Sequence, residues 1–255
     1  MPTSVKLVET ASGKLAKFNG KLVRTVEPGL VYHTDFSRFD RSTCVDVPIF
    51  GKYGQWTITG DNKGIVEKST VTIDGKVHTC LHIVGPTTSG GYIYCGLLNL
   101  PDYVTMNDNL VTFETVTYVP SYTGTWGALT HFGAGGCPYY NCWSSSRGLG
   151  VWAKDGTART AYNRYSCRHD NGGWYTTGST DVARMVRCGT TRVGSDRFKY
   201  YVDNKKALAE TRTDGINSLY YYASGPSSGW GGTKFEYYVL ELKIYKNRDR
   251  FEEMA

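Results

Sequence analysis

From residue 30 almost to its end, the sequence alternates apolar and polar residues with a period of two. A period of two is typical of a β-strand, whose successive side chains point to opposite faces, whereas a helix repeats every 3.6 residues. In the final segment, at 236–246, the alternation assigns Glu241 and Lys243 to the exposed face of a half-buried strand. The residues predicted to share its buried face are Tyr238, Leu240, Leu242 and Ile244.

Turn signals separate the alternating segments. Asp74-Gly75 lies between two such segments and predicts a two-residue hairpin, and Asp155-Gly156 predicts a second hairpin joining residues 148–153 to 158–162. Residues 203–212 contain good helix formers and are a candidate short helix, and 250–255 also look helical. Strands that follow one another without long helices predict an all-β fold, an antiparallel β-sandwich or a barrel.

The first 30 residues differ from the remainder. Lys14-Leu15 and Lys21-Leu22 repeat at a spacing of seven, and there is too little apolar mass here for a core. We interpret residues 1–30 as an extended N-terminal arm with one small hairpin, in which these four residues anchor the chain to a partner. The alternative is a strand of the main sheet. Residues 31–255 are predicted to form a single sandwich domain, since no Pro/Ser-rich linker divides them.

The net charge of +6 is concentrated in one region. Residues 147–212 carry 13 Lys and Arg against 6 Asp and Glu, a net +7, so the remaining residues sum to −1. Aromatic residues lie between these charges, as they do on surfaces that bind nucleic acid or anionic glycans. The alternative is that the charges are the solvent faces of strands, and because +7 is modest for a nucleic-acid binder, no nucleic-acid partner is expected.

The seven cysteines do not form a disulfide framework, because their number is odd and their spacing irregular. We interpret them as mostly reduced and buried, and expect no metal or other cofactor. The alternative is a zinc site, which needs four Cys or His ligands. The candidate ligands for that alternative are Cys137, Cys142, Cys167, His169 and Cys188.

Three segments resemble a known family. The residues FKYYVDNKK at 198–206 are similar to the hairpin, and the residues at 235–248 to the last strand, of laminin G-like and concanavalin A-like jelly rolls. The residues at 110–116 resemble the central strand of that family. Asn204 stands where the family prefers Gly, but Asn tolerates the left-handed conformation, so the turn is expected to form. The resemblance implies an antiparallel β-sandwich of the concanavalin A-like type over most of residues 30–250.

Catalysis is not expected from the sequence. Glucanases of this fold carry a cluster of acidic residues on one strand, and the nearest approach here is Glu236 and Glu241, whose separation by five places them on opposite faces of a strand. Gly225-Pro226-Ser227-Ser228-Gly229 matches the pattern of a nucleophile elbow, but loop and strand follow it instead of a helix. The sequence therefore predicts no catalytic residue and a protein that is not an enzyme.

Aromatic residues in predicted loops are the candidate contacts for a glycan or a protein partner, because long loops with aromatic residues commonly serve binding. The loop at 133–146 is the first candidate. The residues assigned to this role are Tyr139, Tyr140, Trp143, Trp174 and Trp230.

The resemblance includes modules of phage and virus particles. An arm ahead of a jelly roll, without a readable signal peptide or membrane span, favours a non-enzymatic virion structural protein, made in the host cytoplasm, as a capsid decoration or tail fibre subunit. Its expected partners are other virion proteins, with a homotrimer and a cell-surface glycan as further candidates. The alternative is a carbohydrate-binding module or a degenerate glycosidase of the concanavalin A-like fold.

Overall fold

The computed structural model describes the backbone in thirteen ranges: residues 6–10, 13–18, 21–24, 27–97, 110–121, 126–133, 149–155, 163–168, 174–176, 183–193, 197–211, 218–226 and 234–251. Within these ranges the regular structure consists of β-strands. None of the described residues belongs to a helix long and apolar enough to cross a membrane.

The chain divides into two compact units, Met1–Leu30 and Val31–Ala255. The first unit contains a three-stranded antiparallel sheet of β1 (Lys6–Thr10), β2 (Gly13–Phe18) and β3 (Lys21–Arg24), in the order β1-β2-β3. The predicted hairpin corresponds to the pairing of β2 with β3, whereas the pairing of β1 with β2 was not predicted. Lys14 and Leu15 lie in β2, and Lys21 and Leu22 in β3; their anchoring role stays a prediction.

Seventeen further strands follow. The first nine are β4 (Leu30–Thr34), β5 (Phe39–Asp40), β6 (Val45–Asp46), β7 (Gly54–Gly60), β8 (Ile65–Ile73), β9 (Lys76–Val84), β10 (Tyr92–Leu97), β11 (Leu110–Tyr118) and β12 (Trp126–Gly133). The others are β13 (Leu149–Asp155), β14 (Asn163–Arg168), β15 (Trp174–Thr176), β16 (Met185–Val193), β17 (Arg197–Val202), β18 (Lys205–Thr211), β19 (Ser218–Ser224) and β20 (Glu236–Lys246).

Two antiparallel sheets make up the second unit. The nine-stranded sheet has the order β15-β14-β13-β12-β19-β10-β7-β6-β5. The eight-stranded sheet has the order β18-β17-β16-β11-β20-β9-β8, with β4 also paired to β20. The prediction of an all-β antiparallel β-sandwich is confirmed.

The core lies between the two sheets and is rich in aromatic residues. Trp56 of the nine-stranded sheet is buried and stacks on Tyr221 with ring centroids 6.0 Å apart, and the ring of Phe36 packs edge-on against both. The Tyr221 hydroxyl lies 3.2 Å from Oγ1 of Thr115 in the eight-stranded sheet, so the core also contains a polar link between the sheets. The inner face of each sheet is thereby defined by buried residues at alternate positions.

Two of the predicted hairpins are confirmed in detail. Asp74 and Gly75 join β8 to β9 with φ of 49° and 76°, and Asp203 and Asn204 join β17 to β18 with φ of 49° and 62°. Positive φ at both central residues is the requirement of a type I′ turn. Asn204 therefore adopts the left-handed conformation at the position where the family that the sequence resembles prefers Gly.

Two local predictions are wrong. Asp155 is the last residue of β13 and pairs with Asn163 of β14, so it is not a central residue of the predicted two-residue turn; residues 158–162 lie outside the described residues. The candidate helix at 203–212 is instead the turn followed by β18, which pairs with β17. The helix propensity of these residues is overridden because the sheet supplies hydrogen bonds and packing that a short isolated helix lacks.

The last strand contains a β-bulge that the sequence pattern does not show. Val116 of β11 pairs with Glu241 of β20, whereas the next residue, Thr117, pairs with Val239, so Leu240 is an extra residue. Buried residues therefore change parity along β20: they are Tyr237 and Val239 before the bulge and Leu242 and Ile244 after it. The predicted common face for Tyr238, Leu240, Leu242 and Ile244 is wrong for this reason.

The chain folds back over the outer face of the eight-stranded sheet after β20. Phe251 is fully buried and stacks on Tyr201 of β17, with ring centroids 4.4 Å apart and planes 9° from parallel. Asp249 lies 3.0 Å from the ammonium of Lys199 and accepts hydrogen bonds from the Tyr201 hydroxyl. This part of the outer face is therefore covered by the chain itself.

Candidate functional site

The outer face of the nine-stranded sheet is the candidate site, and its residues follow from the strand register. Cα partners form one row that crosses seven strands: Thr59, Tyr94, Tyr222, Ala128, Trp152, Ser166 and Thr176. The next row crosses the same strands two residues further along most of them: Thr57, Gly96, Tyr220, His131, Gly150, Arg168 and Trp174. Together the two rows collect five aromatic residues with a histidine and an arginine.

The alternation of buried residues separates these positions from the core. Trp56 and Ile93 are buried next to the row positions of β7 and β10, and Tyr221 and Ala223 are buried on both sides of position 222 in β19. Because strand residues alternate between faces, the rows belong to the face opposite the core. A register shift in β12 between Ala128 and His131 keeps both of these residues in the rows although three positions separate them.

The side of the face formed by β7 is open to solvent. Thr59 is exposed and Thr57 is half-buried, and Gln55, two residues before, is also exposed. Hydroxyl and amide groups of this kind donate and accept hydrogen bonds, while aromatic residues offer flat apolar area. On β7 the face thus presents hydroxyl and amide groups to solvent, next to strands with aromatic residues at the row positions.

The structure includes one of the predicted contact residues in these rows. Trp174 is the Cα partner of Arg168 at the β15 edge of the sheet. The predicted contacts Tyr139, Tyr140, Trp143 and Trp230 lie outside the described residues. Their role as glycan or partner contacts stays a prediction.

The zinc alternative is not assembled in the part of the chain that the structure describes. Cys188 is buried in the core on β16, and Cys167 lies in β14 as the Cα partner of Val151. Among the described residues no group of three His, Cys, Asp or Glu could hold a metal ion. Cys137, Cys142 and His169 lie outside the described residues.

The outer face of the eight-stranded sheet carries two histidine–glutamate pairs. Nε2 of His82 lies 2.8 Å from Oε1 of Glu236, and the His82 ring stacks on Tyr238 with centroids 4.5 Å apart. Nε2 of His33 lies 2.7 Å from Oε1 of Glu241. The prediction that Glu236 and Glu241 occupy opposite faces is wrong, because the bulge at Leu240 brings both to this outer face.

These carboxylates are held in the ionised form. Burial alone would raise the pKa of Glu236, but hydrogen bonds from His82 and Tyr238 outweigh it and the pKa is lowered. Burial likewise opposes ionisation of Glu241, and the hydrogen bond from His33 and the charge of Lys243 lower its pKa. A glycosidase needs one carboxylic acid with a raised pKa as proton donor. Neither glutamate has the raised pKa of such a proton donor.

The register rows could not be found from the sequence. The alternation in YYYAS at 220–224 and VWAKD at 151–155 gives the parity of each strand, but not which strands are neighbours. The rows join residues as far apart in the chain as Thr59 and Tyr222, and the order in which the strands pair is the information that was missing.

No family model matches the sequence, and no curated protein matches it either. Solved structures do share the fold. The Trypanosoma rangeli sialidase in complex with sialic acid superposes with a TM-score of 0.55 at 15% identity, covering 100% of this chain and 35% of the sialidase. The chain thus spans about a third of the length of that protein.

Two other solved structures match over nearly their whole length. The cellulose induced protein Cip1 has a TM-score of 0.53 at 10% identity, covering 85% of this chain and 97% of Cip1. The Bacteroides ovatus mixed linkage glucan GH16 protein, in complex with a G4G4G3G product, has a TM-score of 0.52 at 12% identity, covering 84% of this chain and 99% of the other. Similarity at this level of identity establishes a shared fold.

These matches correct two expectations from the sequence. The solved structures described above are a sialidase, a mixed-linkage-glucan GH16 protein and a cellulose induced protein, and the expectation of a virion structural protein, a capsid decoration or fibre subunit, is contradicted. The expectation that the chain is not an enzyme is contradicted as well, because the structures that share the fold include part of a sialidase and nearly all of a GH16 protein. The second unit is an antiparallel β-sandwich of the kind found in these carbohydrate-related proteins.

Proposed function

We propose that this protein is a carbohydrate-binding β-sandwich of the concanavalin A-like type, and that the glycan lies across the outer face of the nine-stranded sheet. The proposal keeps the alternative reading of the sequence, a carbohydrate-binding module or a protein derived from a glycosidase. The observation that carries it is the pair of register rows, which bring Tyr94, Tyr222 and Trp152 into one line and Tyr220 and Trp174 into the next.

The dimensions of the rows suit an extended chain of sugars. Neighbouring strands are about 4.8 Å apart, so a row that crosses seven strands is roughly 29 Å long. Tyr222 and Trp152 are two strands apart, at about 10 Å, with the small residue Ala128 between them. Because Ala128 separates Tyr222 from Trp152, each of these two aromatic positions can receive a sugar ring without crowding the other.

A glycan array with the full chain tests this function. Trp152→Ala and Tyr222→Ala remove aromatic residues from the first row, and Tyr53→Ala removes a tyrosine that is 67% exposed in the loop between β6 and β7. We expect the parent chain to bind a defined glycan, each row variant to weaken binding at least tenfold, or about 1.4 kcal/mol, and Tyr53→Ala to bind like the parent. Unchanged binding by both row variants would contradict the site.

The same samples report on catalysis. Each bound oligosaccharide is incubated with the protein and analysed by mass spectrometry for shorter products. Shortened products that disappear in the row variants would show that the face carries an enzyme, and intact oligosaccharides would show a binding module. Absence of binding to every glycan on the array would refute the proposed function.

A further inference from the structure

We infer that the glycan bound by the outer face of the nine-stranded sheet is an anionic polysaccharide. The inference rests on the proposed function and adds the chemical class of the ligand. Its basis is the distribution of charge over register positions. Lys154 and Arg164 are Cα partners, and four residues further along the same strands Gly150 and Arg168 are partners, with His131 of β12 paired to Gly150.

The face carries basic residues without acidic ones over most of its width. No Asp or Glu occupies a strand position that belongs to the outer face in seven described strands, β7, β10, β12, β13, β14, β15 and β19. Asp155, at the end of β13, holds a position of the opposite, inner face, and Asp40 of β5 lies at the far edge of the sheet. The three formal charges Lys154, Arg164 and Arg168 therefore lie around the aromatic row with no acidic residue on the same face of these strands.

The placement of Lys154 directly opposite Arg164 is unfavourable on its own. Like charges at facing positions of an antiparallel pair repel each other and destabilise the sheet. A bound anion between them would convert this repulsion into two attractive contacts, because both side chains donate hydrogen bonds and carry positive charge. The arrangement thus fits a surface whose ligand supplies the missing negative charge.

The eight-stranded sheet differs in how its basic residues are paired. Three described basic residues on its outer face have carboxylates within ion-pair distance: Arg187 pairs with the buried Glu114, Lys199 lies 3.0 Å from Asp249, and Lys243 lies 3.5 Å from Glu241. These three basic residues therefore have carboxylate partners within the sheet or in the C-terminal segment. In the seven strands above, no Asp or Glu position shares the face with Lys154, Arg164 and Arg168, so an acidic group on each of several sugars would complement these charges.

The first experiment compares polymers that differ in charge, using the full chain. Binding is measured to polygalacturonate, which carries carboxylates, to dextran sulfate, which carries sulfate esters, to the neutral cellohexaose, and to single-stranded DNA, at low salt and at about 0.15 M salt. We expect at least tenfold tighter binding to one or both anionic polysaccharides than to cellohexaose, with a loss of affinity as salt rises. The stronger of the two anionic polymers identifies the acidic group.

The outcomes separate this inference from the proposed function. Equal or tighter binding to cellohexaose, or to other neutral glycans, would overturn the inference and leave carbohydrate binding in place. Binding to DNA in preference to every polysaccharide, or no polysaccharide binding at all, would overturn both.

The second experiment uses charge-matched variants. Lys154→Gln, Arg164→Gln and Arg168→Gln remove charges from the face, while Lys68→Gln and Lys76→Gln remove exposed lysines of the eight-stranded sheet. Each face variant should weaken binding to the anionic polymer several-fold and reduce its salt dependence, and each control should stay within about twofold of the parent. An equal loss in the controls would overturn the inference, because it would show attraction by overall charge alone.

Two readouts guard against misfolding. Arg168→Lys keeps the charge and should retain most of the binding that Arg168→Gln loses. Lys154→Gln should leave the unliganded protein at least as heat-stable as the parent, since it removes the repulsion with Arg164. A face variant that melts like the parent and binds the anionic polymer unchanged would overturn the inference.

Discussion

Glu236 and Glu241 lie on the same outer face of β20 although five residues separate them. The bulge at Leu240 restores their common orientation, and the extra residue is used: Leu240 is buried against Ile73 and Cys80 in a small apolar cluster on that face. Each glutamate then meets a histidine from a different strand, Glu236 with His82 of β9 and Glu241 with His33 of β4. The bulge therefore fixes two long-range contacts of the last strand.

These pairs predict loss of stability in acid. The pKa of Glu236 and of Glu241 is lowered in the folded protein below the ordinary value of 4.5. Their contribution is complete above that value and is lost as the pH falls through the lowered pKa. Urea unfolding between about pH 7 and pH 3 should show the decline, and Glu241→Gln should reduce it and cost roughly 1 kcal/mol at neutral pH.

The control for acid lability is Glu67→Gln. Glu67 is 55% exposed and its carboxylate lies 4.0 Å from Nδ1 of His82, so it should have little effect on the pH profile. A Glu241→Gln variant whose stability falls with pH as steeply as that of the parent would contradict this account of the pair.

The C-terminal segment should contribute strongly to stability. Phe251 is fully buried on Tyr201, and a Cβ added to Gly189 would come within 2.5 Å of the Phe251 ring. Phe251→Ala should lower the free energy of unfolding by about 3–5 kcal/mol, measured by denaturant titration. Phe50→Ala, at a phenylalanine that is 36% exposed, is the matched control and should cost far less. A Phe251→Ala variant as stable as the parent would show that the segment is not docked.

The cysteines should differ in reactivity. Burial raises the pKa of the Cys80 thiol to about 11 and that of Cys95 well above its ordinary value. At pH 8 only about one Cys80 thiol in a thousand is then ionised, and the thiolate is the reactive form. Alkylation followed by peptide mass spectrometry should label the half-buried Cys44 in the native protein, and Cys80 and Cys95 only after unfolding. Labelling of Cys95 as fast as Cys44 would contradict the burial.

Replacement of Asn204 by glycine should stabilise the protein. Asn204 has a φ of 62°, and its Oδ1 is buried with no hydrogen-bond partner among the described residues. Asn204→Gly removes both costs and should add about 0.5–1 kcal/mol to the free energy of unfolding. Gly75→Asn, in the corresponding turn between β8 and β9, is the matched control and should destabilise. A lower free energy of unfolding in Asn204→Gly would contradict this account, because it would show that the Asn204 side chain makes a stabilising contact.

Local chemistry made part of the fold predictable. The strand period and the Asp74-Gly75 turn depend on neighbouring residues alone, and that turn formed as expected. The Asp203-Asn204 turn also formed, but it was expected from the family resemblance, while the residues themselves suggested a helix. The bulge at Leu240 was missed because it depends on the partner strand β11, where Val116 and Thr117 skip one residue of β20. Strand β18 was mistaken for a helix because its helix formers are overruled by pairing with β17.

The candidate site was harder to predict than the fold. Trp174 was singled out from the sequence, and it lies in the second row beside Arg168. Tyr94, Tyr222 and Trp152 were not, since each lies in a different stretch of an ordinary alternating strand. Only the order of strands in the nine-stranded sheet brings them into one line, and that order follows from long-range pairing.

Footprinting with hydroxyl radicals tests the glycan-binding face most directly, because the radicals oxidise aromatic side chains that solvent can reach. The full chain is oxidised alone, with polygalacturonate and with cellohexaose, and the modified residues are read by mass spectrometry. The account predicts that the bound polysaccharide lowers the oxidation of Trp152 and Tyr222 and leaves the exposed Tyr53 unchanged. Protection confined to Tyr118 and Tyr238, on the outer face of the eight-stranded sheet, would contradict it.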